Sequence, residues 1–122
     1  MAEGWAVARA NATLDAELAA SRWIQLHVGA PGAAGTSNIA QETTRKQATW
    51  GAAVAGVAAT TADLAWTNVA ADEQYTHWSR WTASTAGTFY GSGVLSADPV
   101  AAGNNFTIGA GNLTVTAQNI AS

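Results

Sequence analysis

Trp23-Ile24-Gln25-Leu26-His27-Val28 alternates strictly: Ile24, Leu26 and Val28 fall on one side of an extended chain, and Trp23, Gln25 and His27 on the other. That period of two is what a β-strand imposes. The stretch stops at Gly29-Ala30-Pro31-Gly32, whose composition forces a turn. The polar run that follows, to about Glu42, is long enough to form an exposed loop carrying a contact, with Ala30, Pro31, Gly32 and Asn38 as its candidate residues.

Upstream the texture differs. Residues 4–20 are rich in Ala, Leu and Glu, contain no Pro, place Trp5, Ala8, Ala12 and Ala19 near helical spacing and make an i,i+4 pair of Leu14 and Leu18. This predicts one helix. Downstream, β-branched and aromatic residues alternate with polar ones, and the breaks fall at Gly, Pro, Asn and Asp. Further strands are expected at 45–50, 53–60, 63–67, 74–83, 88–95, 105–108 and 112–117. Two hairpins are expected, at Ser84-Thr85-Ala86-Gly87 and at Gly109-Ala110-Gly111, where Gly supplies the positive φ of a tight reversal. About eight short strands in this arrangement indicate a mainly β fold, an antiparallel β-sandwich or jelly-roll-like domain with one N-terminal helix.

With 122 residues the chain has room for a single domain, a helix at 1–20 packed on a β domain at 21–122, burying roughly 65–70% of the surface of its unfolded chain. Charged residues are only 11% of the total, well below the roughly 25% of soluble domains. A surface of Ala, Gly, Thr, Ser and Asn repels other copies weakly and has little side-chain entropy to lose when covered, so self-association into a homo-oligomer is expected.

The same composition excludes several classes. Net charge is −3, and Arg9, Arg22, Arg45, Lys46 and Arg80 are scattered, so no basic stripe tracks a nucleic acid. The absence of Cys removes disulfides, Cys-based zinc sites and thiol chemistry. The Met1-Ala-Glu-Gly-Trp start carries an acid where a signal peptide has a basic region, and no stretch reaches 18 apolar residues, so synthesis in a cytoplasm and no membrane span are expected. The Asn-X-Thr sequons at Asn11, Asn105 and Asn112 read as strand and helix-edge chemistry rather than glycosylation sites. Neither an internal repeat nor a heptad run is present to make a fibre shaft.

Catalytic chemistry finds little to work with. His27 and His77 are the only imidazoles, each in a strand without a recognisable motif, and both read as structural. The one adjacent acidic pair, Asp72-Glu73, reads as a solvated turn and cannot flank a scissile glycosidic bond from two sides. No alternating Asp/Asn calcium loop occurs, and Gly91-Ser92-Gly93 reads as a bulge or turn rather than a phosphate cradle. Neither a cofactor nor a metal is expected.

The densest constellation is His77-Trp78-Ser79-Arg80-Trp81, followed across a hairpin by Phe89-Tyr90. On a strand, Trp78 and Trp81 point to opposite sides. One Trp is expected in the core and the other, beside Arg80, on the outer face. Trp78, Arg80, Trp81 and Tyr90 thus form a candidate platform, where a planar aromatic beside the Arg80 guanidinium suits cation–π packing, stacking of a glycan or burial by a neighbouring subunit.

Four segments together carry a resemblance. Leu26-His27-Val28-Gly29-Ala30-Pro31-Gly32, Arg45-Lys46-Gln47-Ala48-Thr49-Trp50, Gly87-Thr88-Phe89-Tyr90-Gly91-Ser92-Gly93-Val94-Leu95-Ser96 and Asn112-Leu113-Thr114-Val115-Thr116, in this order and spacing, resemble short tail-fibre or minor tail proteins of actinobacterial tailed phages. Where that family has an Asp before its Pro-Gly turn this chain has Ala30, and where it has Gly-Leu-Trp this chain has Ser79-Arg80-Trp81. The resemblance implies a non-enzymatic virion protein whose partners are major capsid or tail proteins. It fits a subunit that decorates or cements the capsid as well as one on the tail or fibre exterior, with a host surface glycan as the ligand of the alternative, receptor-binding reading.

Overall fold

In the computed structural model, which describes residues 6–97 and 99–116, a helix is followed by eight short strands. In chain order they are α1 (Val7–Ala20), β1 (Trp23–His27), β2 (Lys46–Gln47), β3 (Val57–Ala59), β4 (Leu64–Trp66), β5 (His77–Trp81), β6 (Phe89–Val94), β7 (Phe106–Ile108) and β8 (Thr114–Thr116). The expected helix start at Gly4, the placement of Trp5 and the end of the last strand at Ala117 lie outside the described residues.

The alternating stretch becomes β1, an inner strand of an antiparallel sheet with order β2-β1-β5-β6. Its register with β5 pairs Trp23 with Trp81, Ile24 with Arg80, Gln25 with Ser79, Leu26 with Trp78 and His27 with His77. Two further antiparallel pairs, β3-β8 and β4-β7, complete the β structure. Ile24, Leu26 and Trp78 of the large sheet share one core with Leu64, Trp66, Tyr75, Ile108 and Leu113, so the small sheets close over the Trp78 side.

α1 packs on this assembly through Leu14 and Leu18 against Ala53 and Ala58. Its buried stripe is Ala10, Leu14 and Leu18, spaced i, i+4, i+8 as one helix face requires. Ala8, Ala12 and Ala19, expected near that stripe, are exposed. The leucines decide the face because they bury far more apolar area than Ala.

Two local expectations are corrected. Residues 53–60 are not one strand: Val54 and Val57 exchange backbone hydrogen bonds of 2.9 and 3.0 Å across a turn in which Ala55 and Gly56 have φ of 52° and 77°. This left-handed conformation is costly for Ala. The helix holds it in place, since Asn11 Oδ1 accepts from the Gly56 N–H and Asp15 Oδ1 from the Ala53 N–H, both at 2.8 Å.

The second correction concerns Gly109-Ala110-Gly111, which turns the chain but makes no hairpin. β7 pairs with β4 and β8 with β3, and the segment carries the chain between the two small sheets, pinned by Gly111 N–H to Thr60 O at 2.7 Å and Ala110 N–H to Asp63 Oδ1 at 2.8 Å. Gly composition marks a reversal without naming the strand that receives the chain afterwards. The other expected hairpin forms, joining β5 to β6 with Ala86 and Gly87 at φ of 56° and 76°.

Candidate functional site

β5 places Trp78 and Arg80 on one face of the large sheet and His77, Ser79 and Trp81 on the other, as alternation requires. The expectation that one Trp is exposed is overturned: Trp78 is 3% exposed and Trp81 7%. Each face of β5 is covered by different chain.

On the first face Trp78 meets Trp50 with ring centroids 6.3 Å apart. Both Trp78 and Arg80 extend over β6 at its glycines. A Cβ at Gly93 would lie 2.5 Å from the Trp78 indole, and one at Gly91 would lie 2.7 Å from Arg80 Nη2. Gly91-Ser92-Gly93 is therefore an edge strand cleared of side chains at every second position rather than a turn. The one register shift lies beside it, between Arg80 and Trp81. Arg80 Nη1 donates to Glu17 Oε2 at 3.1 Å and to Ser21 Oγ at 2.9 Å, tying β5 to α1.

On the second face Trp81 packs on Phe89 at 5.4 Å and lies under the Arg45 guanidinium, 4.2 Å from its centroid. The partner of the cation–π contact is thus Arg45, not Arg80. Arg45 is held there by donating to the carbonyls of Ala83 and Ala86. Trp81 Nε1–H donates to Ser79 Oγ at 2.7 Å, and Ser79 Oγ lies 2.7 Å from His27 Nε2. His27 Nδ1 lies 2.9 Å from the Ser37 carbonyl. A carbonyl only accepts, so Nδ1 carries the proton and Nε2 accepts from the Ser79 hydroxyl.

This chain from Trp81 through Ser79 and His27 to Ser37 leaves no ring nitrogen free. His27 and Ser79 are both 0% exposed, so the Ser–His pair has no path to a substrate and its chemistry is structural. Burial holds the His27 pKa below the ordinary imidazole value, with His77 adding to the depression and the Ser37 carbonyl opposing it.

The Gly29–Glu42 loop supplies the cover. It folds back along β1, with Val28 N–H bonded to Asn38 O at 2.9 Å and Ala40 N–H to Leu26 O at 3.1 Å. Of its candidate contact residues, Ala30, Gly32 and Asn38 are exposed and Pro31 is buried. Asn38 adopts φ of 52° and donates Nδ2 to Ala30 O, an internal tie across the loop. Gly35 is closed on by Phe89, whose ring occupies the space a Cβ would need.

Asp72 and Glu73, expected in a solvated turn, are clamps. Asp72 Oδ1 accepts from Ala102 N–H at 2.7 Å, and the Glu73 carboxylate accepts from Gln41 N–H at 2.9 Å. Nearby, burial with Glu73 and Glu42 pushes the Tyr75 phenol up to about 12. Among the described residues no group of His, Asp and Glu converges as a metal site. A groove of about 530 Å³ beside the end of β6 is lined by residues such as Val94, Leu95, Phe106 and Asn112.

Of the four platform residues only Tyr90 is exposed, at 38%. It borders a groove of about 490 Å³ shared with Arg9, Ala12, Ala16, Glu17 and Ala20 of α1. The accessible features of the described residues include a neutral strand edge, a small-residue helix face and the outer part of a loop. The family model described as Podophage GP4 fiber I protein gp80 matches residues 6–116. The chain belongs to this phage fibre family. No curated protein matches it. The match spans the helix and every described strand. Among the described residues no helix is long and apolar enough to cross a membrane.

Ala30, Gly32, Asn38 and Tyr90 were legible as surface residues, whereas the Gly91 and Gly93 clearance and the Arg45–Trp81 contact were missed. A signal for the first was present: Gly-Ser-Gly at period two, one hairpin away from Trp-Ser-Arg, matches small against large across a strand pair.

Proposed function

We propose that this fibre-family chain is a non-enzymatic structural subunit on the exterior of a tailed-phage virion, self-associating and seated on other virion proteins. The observation that carries this reading is the family match over residues 6–116, and the surface supports it. The one close Ser–His pair is sealed inside the sheet, while the low-charge exterior suits protein contact. The family description supports a place on the fibre or tail exterior. Capsid decoration is the variant of the same role, the exposed Ala30, Gly32 and Asn38 loop is the proposed contact with a neighbouring virion protein, and an actinobacterial host rests on the resemblance alone.

The test is proteomic and positional. Purified virions are expected to contain this polypeptide at stoichiometric level, and antibody labelling seen by electron microscopy to decorate the tail; its absence from particles overturns the structural role, and label confined to the capsid overturns the tail placement.

A further inference from the structure

β6 is the outer strand of the large sheet, and from Gly91 to Val94 its free edge carries no blocking side chain. The hydrogen bond from Leu95 N–H to Thr76 O, with the register of His77 on Val94 and Ser79 on Ser92, fixes which backbone groups point inward to β5. Those of Gly91, Gly93 and Leu95 do. The N–H and C=O groups of Ser92 and Val94 therefore point outward, and among the described residues nothing pairs with them. Soluble proteins usually block such an edge with Lys, Pro, an inward charge or a bulge. The register shift opposite Arg80 and Trp81 falls before Gly91, from Phe89 to Ala97 the chain has no Lys, Pro or charged residue, and Val94 at the edge is 75% exposed.

We infer that β6 pairs antiparallel with β6 of a second copy of this chain, joining two four-stranded sheets across a twofold axis at Gly93. This rests on the reading of the chain as a self-associating subunit and adds the surface and its symmetry. In this register Ser92 faces the partner's Val94 and Val94 the partner's Ser92, so all four outward groups of each strand find partners. Gly93 meets its own copy, where the absence of a side chain admits the close approach of a non-hydrogen-bonded pair.

The charges agree with a second copy as the occupant. The strand itself is neutral, so two copies meet without like-charge repulsion. On the Trp78 side of the sheet, α1 borders the β6 edge through the groove it shares with Tyr90. A twofold axis normal to the sheet sets the two helices antiparallel, directing Arg9 of each toward Glu17 of the other across faces built of Ala12, Ala16 and Ala20. Glu17 uses Oε2 for Arg80 in its own chain, and Oε1 is available. Small side chains on both helices permit that approach.

Sedimentation equilibrium of the purified chain at micromolar concentration tests this. The wild type is expected at twice the 12.4 kDa chain mass, and Val94→Lys at the monomer mass with unchanged near-UV circular dichroism. Val54→Lys, which charges an equally exposed valine (70%) away from β6, is expected to remain dimeric. Hydrogen exchange supplies a readout independent of any variant: the Ser92 and Val94 amides are expected to be protected in the wild type. A monomeric wild type overturns self-association and this interface together. A wild-type trimer, a Val94→Lys dimer, loss of the dimer in Val54→Lys or unprotected Ser92 and Val94 amides overturns the β6 pairing while leaving the virion role standing.

Discussion

The two faces of β5 solve the same problem by different means. The Trp78 face is closed by hydrophobic contact with Trp50 and the apolar side chains of the small sheets. The Trp81 face is closed by a loop, a cation–π contact and a relay of hydrogen bonds through Ser79 and His27. The first is non-directional and tolerates small shifts, whereas the second works only with every donor and acceptor in place. Perturbing the two faces should therefore give different signatures, in size and in pH dependence.

The largest effect is expected on the apolar face. Trp78→Ala removes a buried indole and should cost about 3–5 kcal/mol, read as a lower urea midpoint. A loss below about 1 kcal/mol would show that the Trp78 side is not the main core. Next is the relay: Ser79→Ala removes the hydroxyl that accepts from Trp81 and donates to His27. With two buried groups left unpaired, about 1–3 kcal/mol should be lost, and an unchanged midpoint would mean the relay contributes nothing.

A smaller effect is expected from pH, and only on the relay face. Because the His27 pKa is depressed in the folded state, the unfolded chain binds the proton more readily. The stabilisation is thus complete above the unfolded value of about 6.5 and declines as pH falls from there through the folded value. Urea titrations between neutral pH and pH 5 should show this decline in the wild type and a shallower one in His27→Gln. Equal slopes would assign the acid sensitivity elsewhere. The smallest change is expected at the Glu17–Arg80 ion pair, whose carboxylate side chain is 43% exposed. Glu17→Ala should cost at most about 1 kcal/mol, and less in high salt.

How much of this was legible beforehand depends on the range of the signal. Strand β1 and the sidedness of β5 follow from alternation within a few residues, and α1 from its composition and the Leu14–Leu18 pair. The Ser84–Gly87 hairpin was legible because its strands are neighbours in sequence. The Gly109–Gly111 crossing was not, because β8 seeks β3 more than fifty residues back. The platform failed for the same reason: alternation says which side Trp81 takes, and only a distant segment decides whether that side is wet.

The sequence by itself determined a β-rich chain with one helix, a weakly charged exterior and opposite sides for Trp78 and Trp81, since these properties belong to local periodicity and composition. Tertiary structure alone decided that both indoles are buried, that Arg45 rather than Arg80 lies on Trp81, that Gly91 and Gly93 make room for neighbours, and that β6 is an outer strand paired on one side. Those outcomes depend on which remote segments pack together. Burial and edge status are properties of an assembled surface, and no residue carries them in its own side chain.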